Sequence, residues 1–277
     1  MSQRDASQSG QIVLISLLIL TIATTIALSL IGRTTTDLTI STQIEESSRA
    51  FSAAEAGIEE ALKSGTGTGG AQVLTPGTTY NVAVASVGGA AGVYQFAQKT
   101  TRGVTETLWL VSHNADGTLI ETPTYTNATI DLCWSSETTT PAAAVTILFK
   151  RAGVYYAAKG GYDSDAARRA VNKFSDVTAT SGGCGFAAMY RQLLTFSDFG
   201  INPASDTLLM LRVRPVYSDT QIAVNAPAVL PYQGNRFEST GSTATGVSRK
   251  VVVYQQYRSA SSSIYNAAVY SQSALTH

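Results

Sequence analysis

The stretch that decides the fold is residues 12–31, which read IVLISLLILTIATTIALSLI. No charged residue lies between Asp5 and Arg33. Twenty helical residues rise about 30 Å, which is the thickness of the hydrocarbon core of a bilayer. The serine and threonine hydroxyls in this stretch can bond to carbonyl groups of the preceding turn, so they need no water. The stretch therefore predicts a membrane-spanning helix.

Two other interpretations of residues 12–31 are a secretory signal peptide and a core helix of a soluble protein. Ala27, Leu28 and Ser29 could lie near a cleavage site, but the apolar part of a signal peptide usually has about 7 to 15 residues. A buried core helix is usually shorter than this run. The orientation in the membrane stays open, because Arg4 on one side is balanced by Arg33 on the other.

The helical pattern continues beyond the apolar run. Larger apolar residues recur at helical spacings with alanines beside them, namely Ile44, Phe51, Ile58 and Leu62. No proline occurs before Pro76, and the Gly/Thr-rich segment 64–70 ends the pattern. We therefore expect one helix over residues 11–63, about 80 Å long, with a transmembrane half and an amphipathic half. The apolar stripe of the amphipathic half needs a domain or sister helices to cover it, which would make the helix a packing rod. The alternative is a simple stalk that carries a receptor off the membrane.

The composition bounds the function. The chain has 277 residues, 44% of them apolar and 14% charged, with Lys plus Arg and Asp plus Glu at 19 each. The apolar fraction excludes a disordered chain. The zero net charge argues against a nucleic-acid partner, which normally requires a basic excess. Two histidines and two cysteines are too few for a usual four-ligand zinc site, so we expect no metal and no cofactor.

Residues 71–277 have a different sequence pattern, in which short runs rich in Val, Tyr, Thr and Phe alternate with turn residues. The predicted strands are 79–84, 93–98, 105–111, 126–134, 145–150, 154–159, 207–213, 221–224, 247–257 and 263–270. Short helices are expected over 166–174, capped by Asp163, Ser164 or Asp165, and over 190–196. The sequence thus predicts an α+β protein, in which the long N-terminal helix precedes one β-rich, antiparallel, sandwich-like head domain.

Two segments that flank the apolar run carry a resemblance to a known family. Ser9-Gly10-Gln11 stands directly before the run, and residues 49–62 after it read RAFSAAEAGIEEAL. Together with the charge-free helix between them, these segments resemble the PilX-type minor pilins of type IV pili and the pseudopilins of type II secretion. The resemblance covers about 55 residues, and the AFSAAEAGIEEAL segment carries most of its weight.

The resemblance implies a processing and assembly route. A membrane prepilin peptidase would remove the leader 1–10 by cutting after Gly10, and Gln11 would become the new N-terminus, often methylated in that family. The helix would then leave the bilayer and pack with the helices of other pilin subunits inside a filament. That transfer is reasonable because lipid and a bundle interior are both dry. Phe51, Ile58 and Leu62 are expected to pack against the head domain or against neighbouring helices.

Position 15 departs from the family pattern. Major pilins carry Glu at the fifth mature residue, where it can pair with the N-terminal ammonium of a neighbour, whereas this chain has Ile15. A lone carboxylate in lipid is expensive, so its absence does not destabilise the helix, but it removes the usual pairing during assembly. This favours a minor, initiating or tip subunit over a major one.

The expected location is a single-pass membrane protein with an extracytoplasmic head, at the cell surface or in a pilus after assembly. Cys133 and Cys184 would be expected to pair in that oxidising environment, and two buried free thiols are the alternative. His113 and His277 are the two histidines, and they offer little for a catalytic cysteine, so we expect no enzyme. A permanently anchored surface binding protein or adhesin is the main alternative, and a membrane-tethered hydrolase is a remote one. The ligand of the head domain stays open.

Overall fold

A computed structural model of the chain describes residues 8–114, 117–135, 140–180 and 182–257, with side chains from residue 12 onward. The chain forms two compact units. Unit 1 is Met1–Val84 with Phe237–Val253, and unit 2 is Ala85–Arg236 with Tyr254–His277. The α+β layout expected from the sequence is confirmed. The structure differs from the expected boundaries in one respect, because residues 71–84 and 237–253 belong with the helix instead of with the rest of residues 71–277.

The elements follow one another from a single long helix into strands. In chain order they are α1 (Gln8–Ser64), β1 (Gln72–Thr75), β2 (Thr78–Gly88), β3 (Gly92–Gln95), β4 (Glu106–Trp109), β5 (Ser112–His113), β6 (Leu119–Ile120), β7 (Thr129–Trp134), β8 (Ala142–Arg151), β9 (Val154–Tyr162), α2 (Ala166–Asn172), β10 (Thr178–Ala179), β11 (Tyr190–Thr195), a 3₁₀ turn (Phe196–Phe199), β12 (Thr207–Val216), β13 (Ile222–Ala226), β14 (Tyr232–Thr243) and β15 (Ser248–Gln256).

Unit 1 is built from α1 and most of a four-stranded sheet with the order β1-β2-β14-β15. Its core is small. The buried residues are Ile58 and Ala61 from the helix with Val82 and Phe237 from the sheet, and partly buried side chains of β2 and β15 pack around them. The face of the amphipathic half that carries Ile58 and Ala61 is thus covered by a sheet of its own chain.

Unit 2 contains two antiparallel sheets with the orders β10-β11-β7-β13-β3 and β4-β12-β8-β9. Alternate residues of both sheets form one core. From the first sheet it takes Ile130, Leu132, Trp134, Ile222 and Val224, and from the second Leu108, Val145, Ile147, Leu211 and Val213. Because the two inner faces share this core, the sandwich-like arrangement predicted from the alternating pattern is confirmed.

Several predicted elements are confirmed and others are corrected. The strands expected between residues 79 and 159 and between 207 and 257 have counterparts in the sheets. The predicted helix 166–174 is α2, capped by Asp165, whose side chain accepts bonds from the backbone N–H groups of Ala167 and Arg168. The helix expected over 190–196 is wrong, because Tyr190–Thr195 is β11, paired along its length with β7. The strand expected over 263–270 and His277 lie outside the described residues.

Candidate functional site on the N-terminal helix

The first part of α1 lies entirely on the surface of the molecule. Every described side chain from residue 12 to residue 45 is exposed. The large apolar side chains among them are Ile12, Val13, Leu14, Ile15, Leu17, Leu18, Ile19, Leu20, Ile22, Ile26, Leu28, Leu30, Ile31, Leu38, Ile40 and Ile44. Monomeric soluble proteins rarely expose so large an apolar surface, so this half of the helix requires a non-aqueous environment or a partner.

Among the residues that the structure describes, one helix, α1, is long enough and apolar enough to cross a membrane. None of its most apolar segment is buried in the protein. A core helix of a soluble protein passes the same length test, but it would be largely buried. The full exposure of residues 12–31 does not fit that interpretation. At 57 residues, the helix is about 85 Å long, so less than half of it suffices to cross a bilayer.

Four hydroxyl groups in the apolar half, those of Ser16, Thr21, Thr24 and Thr25, bond to carbonyl oxygens of the preceding turn, as the sequence predicted. Ser16 donates to the Ile12 carbonyl oxygen at 2.9 Å. Thr25 donates to the Thr21 carbonyl oxygen at 2.6 Å, and Thr21 and Thr24 make similar bonds to the preceding turn. A lipid environment would therefore leave none of these four donors unpaired.

The second half of α1 presents a face of small side chains to the sheet of unit 1. Ala50, Ala53 and Ala54 are fully buried, and Ala61 is 1% exposed. Glycine continues this face at position 57, where a Cβ would lie 2.5 Å from the Ser239 hydroxyl oxygen. The small residues of the AFSAAEAGIEEAL segment thus allow the helix backbone to approach strands of its own chain closely.

The closest approach is made at Gly241 in β14. A Cβ at this position would lie 2.0 Å from the Ala50 carbonyl oxygen and 2.6 Å from the Ala54 backbone nitrogen. Any side chain on Gly241 would therefore push the strand away from the helix. A glycine inside a strand often marks such a contact with a neighbouring backbone. Gly241 was therefore the sequence signal for this contact with the helix, which the pattern of apolar residues did not reveal.

Polar contacts fix the helix at both ends of the buried face. At the N-terminal end, Thr245 donates to the Glu46 carboxylate at 2.8 Å, and Arg249 donates to the Ser47 hydroxyl at 2.8 Å. Hydrogen bonds from Thr243 and Thr245 lower the pKa of the Glu46 carboxyl group, with a further contribution from Arg49. At the other end, the Tyr80 hydroxyl donates to Glu60, and this bond raises the pKa of Tyr80.

The residues predicted for assembly on the second half of the helix belong to one apolar stripe but differ in burial. Ile58 is 6% exposed and lies in the core of unit 1. Phe51 is 45% exposed, Leu62 is 38% exposed and Ile44 is 65% exposed. Ile58 therefore packs inside its own unit. The packing of Phe51 and Leu62 against neighbouring helices stays a prediction.

The predicted processing site lies at the start of α1. Ser9, Gly10 and Gln11 have helical backbone, so a cut after Gly10 would remove the first three residues of the helix as it stands. Ile15 is 51% exposed, which suits an apolar side chain facing lipid or another helix. Residues 1–7, the greater part of the expected leader, lie outside the described residues.

The two cysteines form a disulfide between Cys133 in β7 and Cys184 in the loop before β11, with a Cα–Cα distance of 6.1 Å. Both are buried beside Ala188 and Ala223. The expectation of a pair is therefore met, and the alternative of two free thiols is not.

The remaining sequence candidates have structural roles. Asp163, one of the three predicted caps of α2, is fully buried and accepts hydrogen bonds from Arg168, while the cap itself is Asp165. His113 stacks on Tyr257 and meets the edge of Trp109. Within the described ranges, no group of three or more His, Cys, Asp or Glu side chains is placed to hold a metal ion.

Comparisons of the chain with protein-family models, with curated proteins and with solved structures found no match.

Proposed function

We propose that the chain is a pilin-like structural subunit, a minor or tip component of a type IV pilus or a related pseudopilus. The observation that carries this proposal is the division of α1 into two halves. Residues 12–45 are exposed throughout, whereas the alanine face between Ala50 and Ala61 is buried on the chain's own sheet. One unbroken helix thus connects a folded unit to an apolar rod that has no cover within the described residues.

The apolar rod suits two successive environments. In a bilayer, lipid chains would cover the leucine and isoleucine side chains, and the hydroxyls of Ser16, Thr21, Thr24 and Thr25 would keep their acceptors within the helix. In a filament, the corresponding rods of neighbouring pilin subunits would replace the lipid, and the apolar surface would never meet water. Phe51 and Leu62, which are 45% and 38% exposed, extend this apolar surface beyond the membrane half, and another subunit would cover them in a filament.

The disulfide supports a location outside the cytoplasm, because disulfides persist in the periplasm and at cell surfaces and are rare in reducing compartments. In this proposal the partners are the prepilin peptidase, the membrane before assembly and other pilin subunits afterwards. The chain needs no catalytic group for this role.

The processing step is tested by replacing Gly10 with Val. The peptidase must bring the backbone close at the cut, and a branched side chain would obstruct it. We expect Gly10→Val to accumulate as an uncut precursor in the membrane fraction, as measured by intact mass. Gly32→Val is a matched control, because a Cβ at Gly32 would meet nothing within 4 Å. The control should be cut normally.

Three outcomes would overturn the proposal. Normal cutting of Gly10→Val would remove the processing step. A wild-type chain that keeps its original N-terminus would indicate a permanently anchored surface protein. A mature chain that begins near residue 30 would indicate a secretory signal peptide.

A further inference from the structure

Unit 2 contains a cavity of about 500 Å³ on the outer face of the sheet β4-β12-β8-β9. Leu211 and Val213 of β12 point into the sandwich core, so Arg212 and Arg214, which alternate with them, point to the opposite face. The segment after α2 forms a side wall, where the Phe174 ring covers Gly161 so closely that an added Cβ would lie 2.4 Å from it. A volume of this size is typical of small-molecule sites.

Four cationic side chains line this cavity, and two of them are more deeply buried than the other two. Arg212 is 2% exposed and Arg214 is half-buried, so the two guanidinium groups belong to the floor. Lys159 and Lys173 are exposed and belong to the rim. The strand register places Arg212 opposite Thr146, and Thr146 opposite Lys159, in one row across the sheet.

The lining contains no Asp or Glu among the residues that the structure describes. Two carboxylates near lining residues in sequence, Asp163 after Gly161 and Asp176 after Ser175, are held by guanidinium groups of α2, which do not line the cavity. Asp163 contacts Arg168 at 2.6 Å, and Asp176 contacts Arg169 at 2.9 Å. Among the described residues, the lining of the cavity therefore carries four cationic side chains and no carboxylate, in a chain whose net charge is zero.

Neutral hydrogen-bonding groups complete the lining, with hydroxyls from Thr105, Thr146 and Ser175. The wall between them is fixed by Asn172, whose amide donates to Asp163 at 2.9 Å and whose carbonyl oxygen accepts from the Phe174 backbone N–H at 2.8 Å. The cationic groups thus face a wall of defined shape, as a site for one ligand requires.

We propose that this cavity binds a small molecule that carries an oxyanion, either a phosphate group or a carboxylate. The two arginines of the floor carry planar guanidinium groups, which can bond to two oxygens of a phosphate or a carboxylate. The lysines of the rim attract the ligand and hold further negative charge, and the threonine and serine hydroxyls bond to its neutral part. This activity is separate from assembly through α1 and does not depend on it.

The test is isothermal titration calorimetry on the full chain in micelles of a non-ionic detergent, with inorganic phosphate and glucuronate as separate probes. We expect saturable binding of at least one probe, weakened by added sodium chloride. Arg214→Gln and the double variant Lys159→Ala/Lys173→Ala should each raise Kd by about tenfold or more, because each removes charge that the ligand contacts. The double variant Lys63→Ala/Arg102→Ala removes two exposed positive charges that are not among the residues lining the cavity, and it should bind as the wild type does.

Binding of phosphate alone would assign a phosphorylated ligand, and binding of glucuronate alone a sugar acid. Both results support the site. The inference is overturned if the wild type binds neither probe at concentrations on the order of 10 mM, or if the cavity variants bind as tightly as the control. Circular dichroism checks the fold of each variant, and because both rim lysines are exposed, the lysine double variant keeps the test valid should Arg214→Gln misfold.

Discussion

Gly241 lies directly against Ala50, so closely that a Cβ on the glycine would stand 2.0 Å from the alanine carbonyl oxygen. The strand β14 therefore touches the backbone of α1 and not merely its side chains. This contact attaches the second half of α1, which continues from the apolar rod, to a folded sheet. It explains why the alanines at positions 50, 53 and 54 are fully buried.

Substitution of Gly241 tests this contact. Gly241→Ala should destabilise unit 1 by about 1 to 3 kcal/mol, because overpacking forces the backbone to shift. Hydrogen exchange of the full chain in detergent, read by mass spectrometry over residues 50–61, should show faster exchange in this variant. Gly70→Ala is the control, since a Cβ there would meet nothing within 4 Å, and it should leave exchange unchanged. Equal protection in both variants would contradict the proposed contact.

Ile58 and Phe51 should respond differently to truncation. Ile58 is 6% exposed in the core of unit 1, so Ile58→Ala should lower the free energy of unfolding by about 2 to 4 kcal/mol through lost burial and an added cavity. Phe51 is 45% exposed, and Phe51→Ala should change the stability of the detergent-solubilised chain by only about 0.5 kcal/mol. Denaturant titration of both variants measures the difference, and a similar loss in the two would show that Phe51 is packed in the single chain.

Assembly should depend on Phe51 even though folding does not. Phe51→Asp places a charge on the apolar surface that neighbouring subunits would cover, and a buried unpaired charge is strongly unfavourable. We expect normal folding and membrane insertion but no recovery of the variant in sheared filaments. Phe51→Leu keeps an apolar side chain and should assemble. Filaments that contain Phe51→Asp at the wild-type level would refute the role of this residue.

The stability of unit 1 should depend on pH through Glu46. Hydrogen bonds from Thr243 and Thr245 lower the pKa of Glu46 below its ordinary value of 4.5. A carboxyl group with a lowered folded pKa contributes stability that is present above its unfolded pKa and is lost as the pH falls through its folded pKa. The wild type should therefore lose thermal stability below about pH 4.5 more steeply than Glu46→Gln does.

The matched control for this titration is Glu55→Gln, which removes an exposed carboxyl group from the same helix. Its melting temperature should follow the wild-type pH dependence. Identical profiles for the wild type and Glu46→Gln would show that the bonds to Thr243 and Thr245 contribute nothing.

The disulfide should stabilise unit 2. It closes a loop with a sequence separation of 51, and a loop of that length corresponds to about 4 kcal/mol of stabilisation in the chain-entropy account. The double variant Cys133→Ser/Cys184→Ser should melt at a lower temperature than the oxidised wild type, and reductant should lower the wild-type value while leaving the variant unchanged. A reductant-insensitive wild type would contradict this role.

The sequence predicted the helix and its two halves because the signals were long and uninterrupted. Twenty apolar residues followed by a helical repeat leave few alternatives. The sequence did not show which face of the second half was covered. Phe51 and Ile58 belong to the same apolar repeat, and their different burial depends on where β14 approaches the helix.

Two errors among the strands have physical causes. Residues 190–195 read YRQLLT, and Arg, Gln and Leu are good helix formers, but pairing with β7 along the whole segment overrides that preference. The strand β14 was missed because Gly234 and Gly241 interrupt its pattern. These same glycines allow close backbone contacts, so the residues that obscured the strand are the ones that its packing requires.

The cavity of unit 2 could not be inferred from the sequence either. Lys159, Lys173, Arg212 and Arg214 are spread over 56 positions, and only the pairing of β12 with β8 and of β8 with β9 brings three of them to one face of a sheet.

The central claim is that the exposed apolar half of α1 leaves the membrane for a filament after the leader is removed. The most direct measurement is the intact mass of the chain recovered from filaments sheared off the cells that express it. We predict a mass that corresponds to a chain beginning at Gln11. A chain that begins at Met1 and is found in the membrane fraction alone, with none in filaments, would contradict the account.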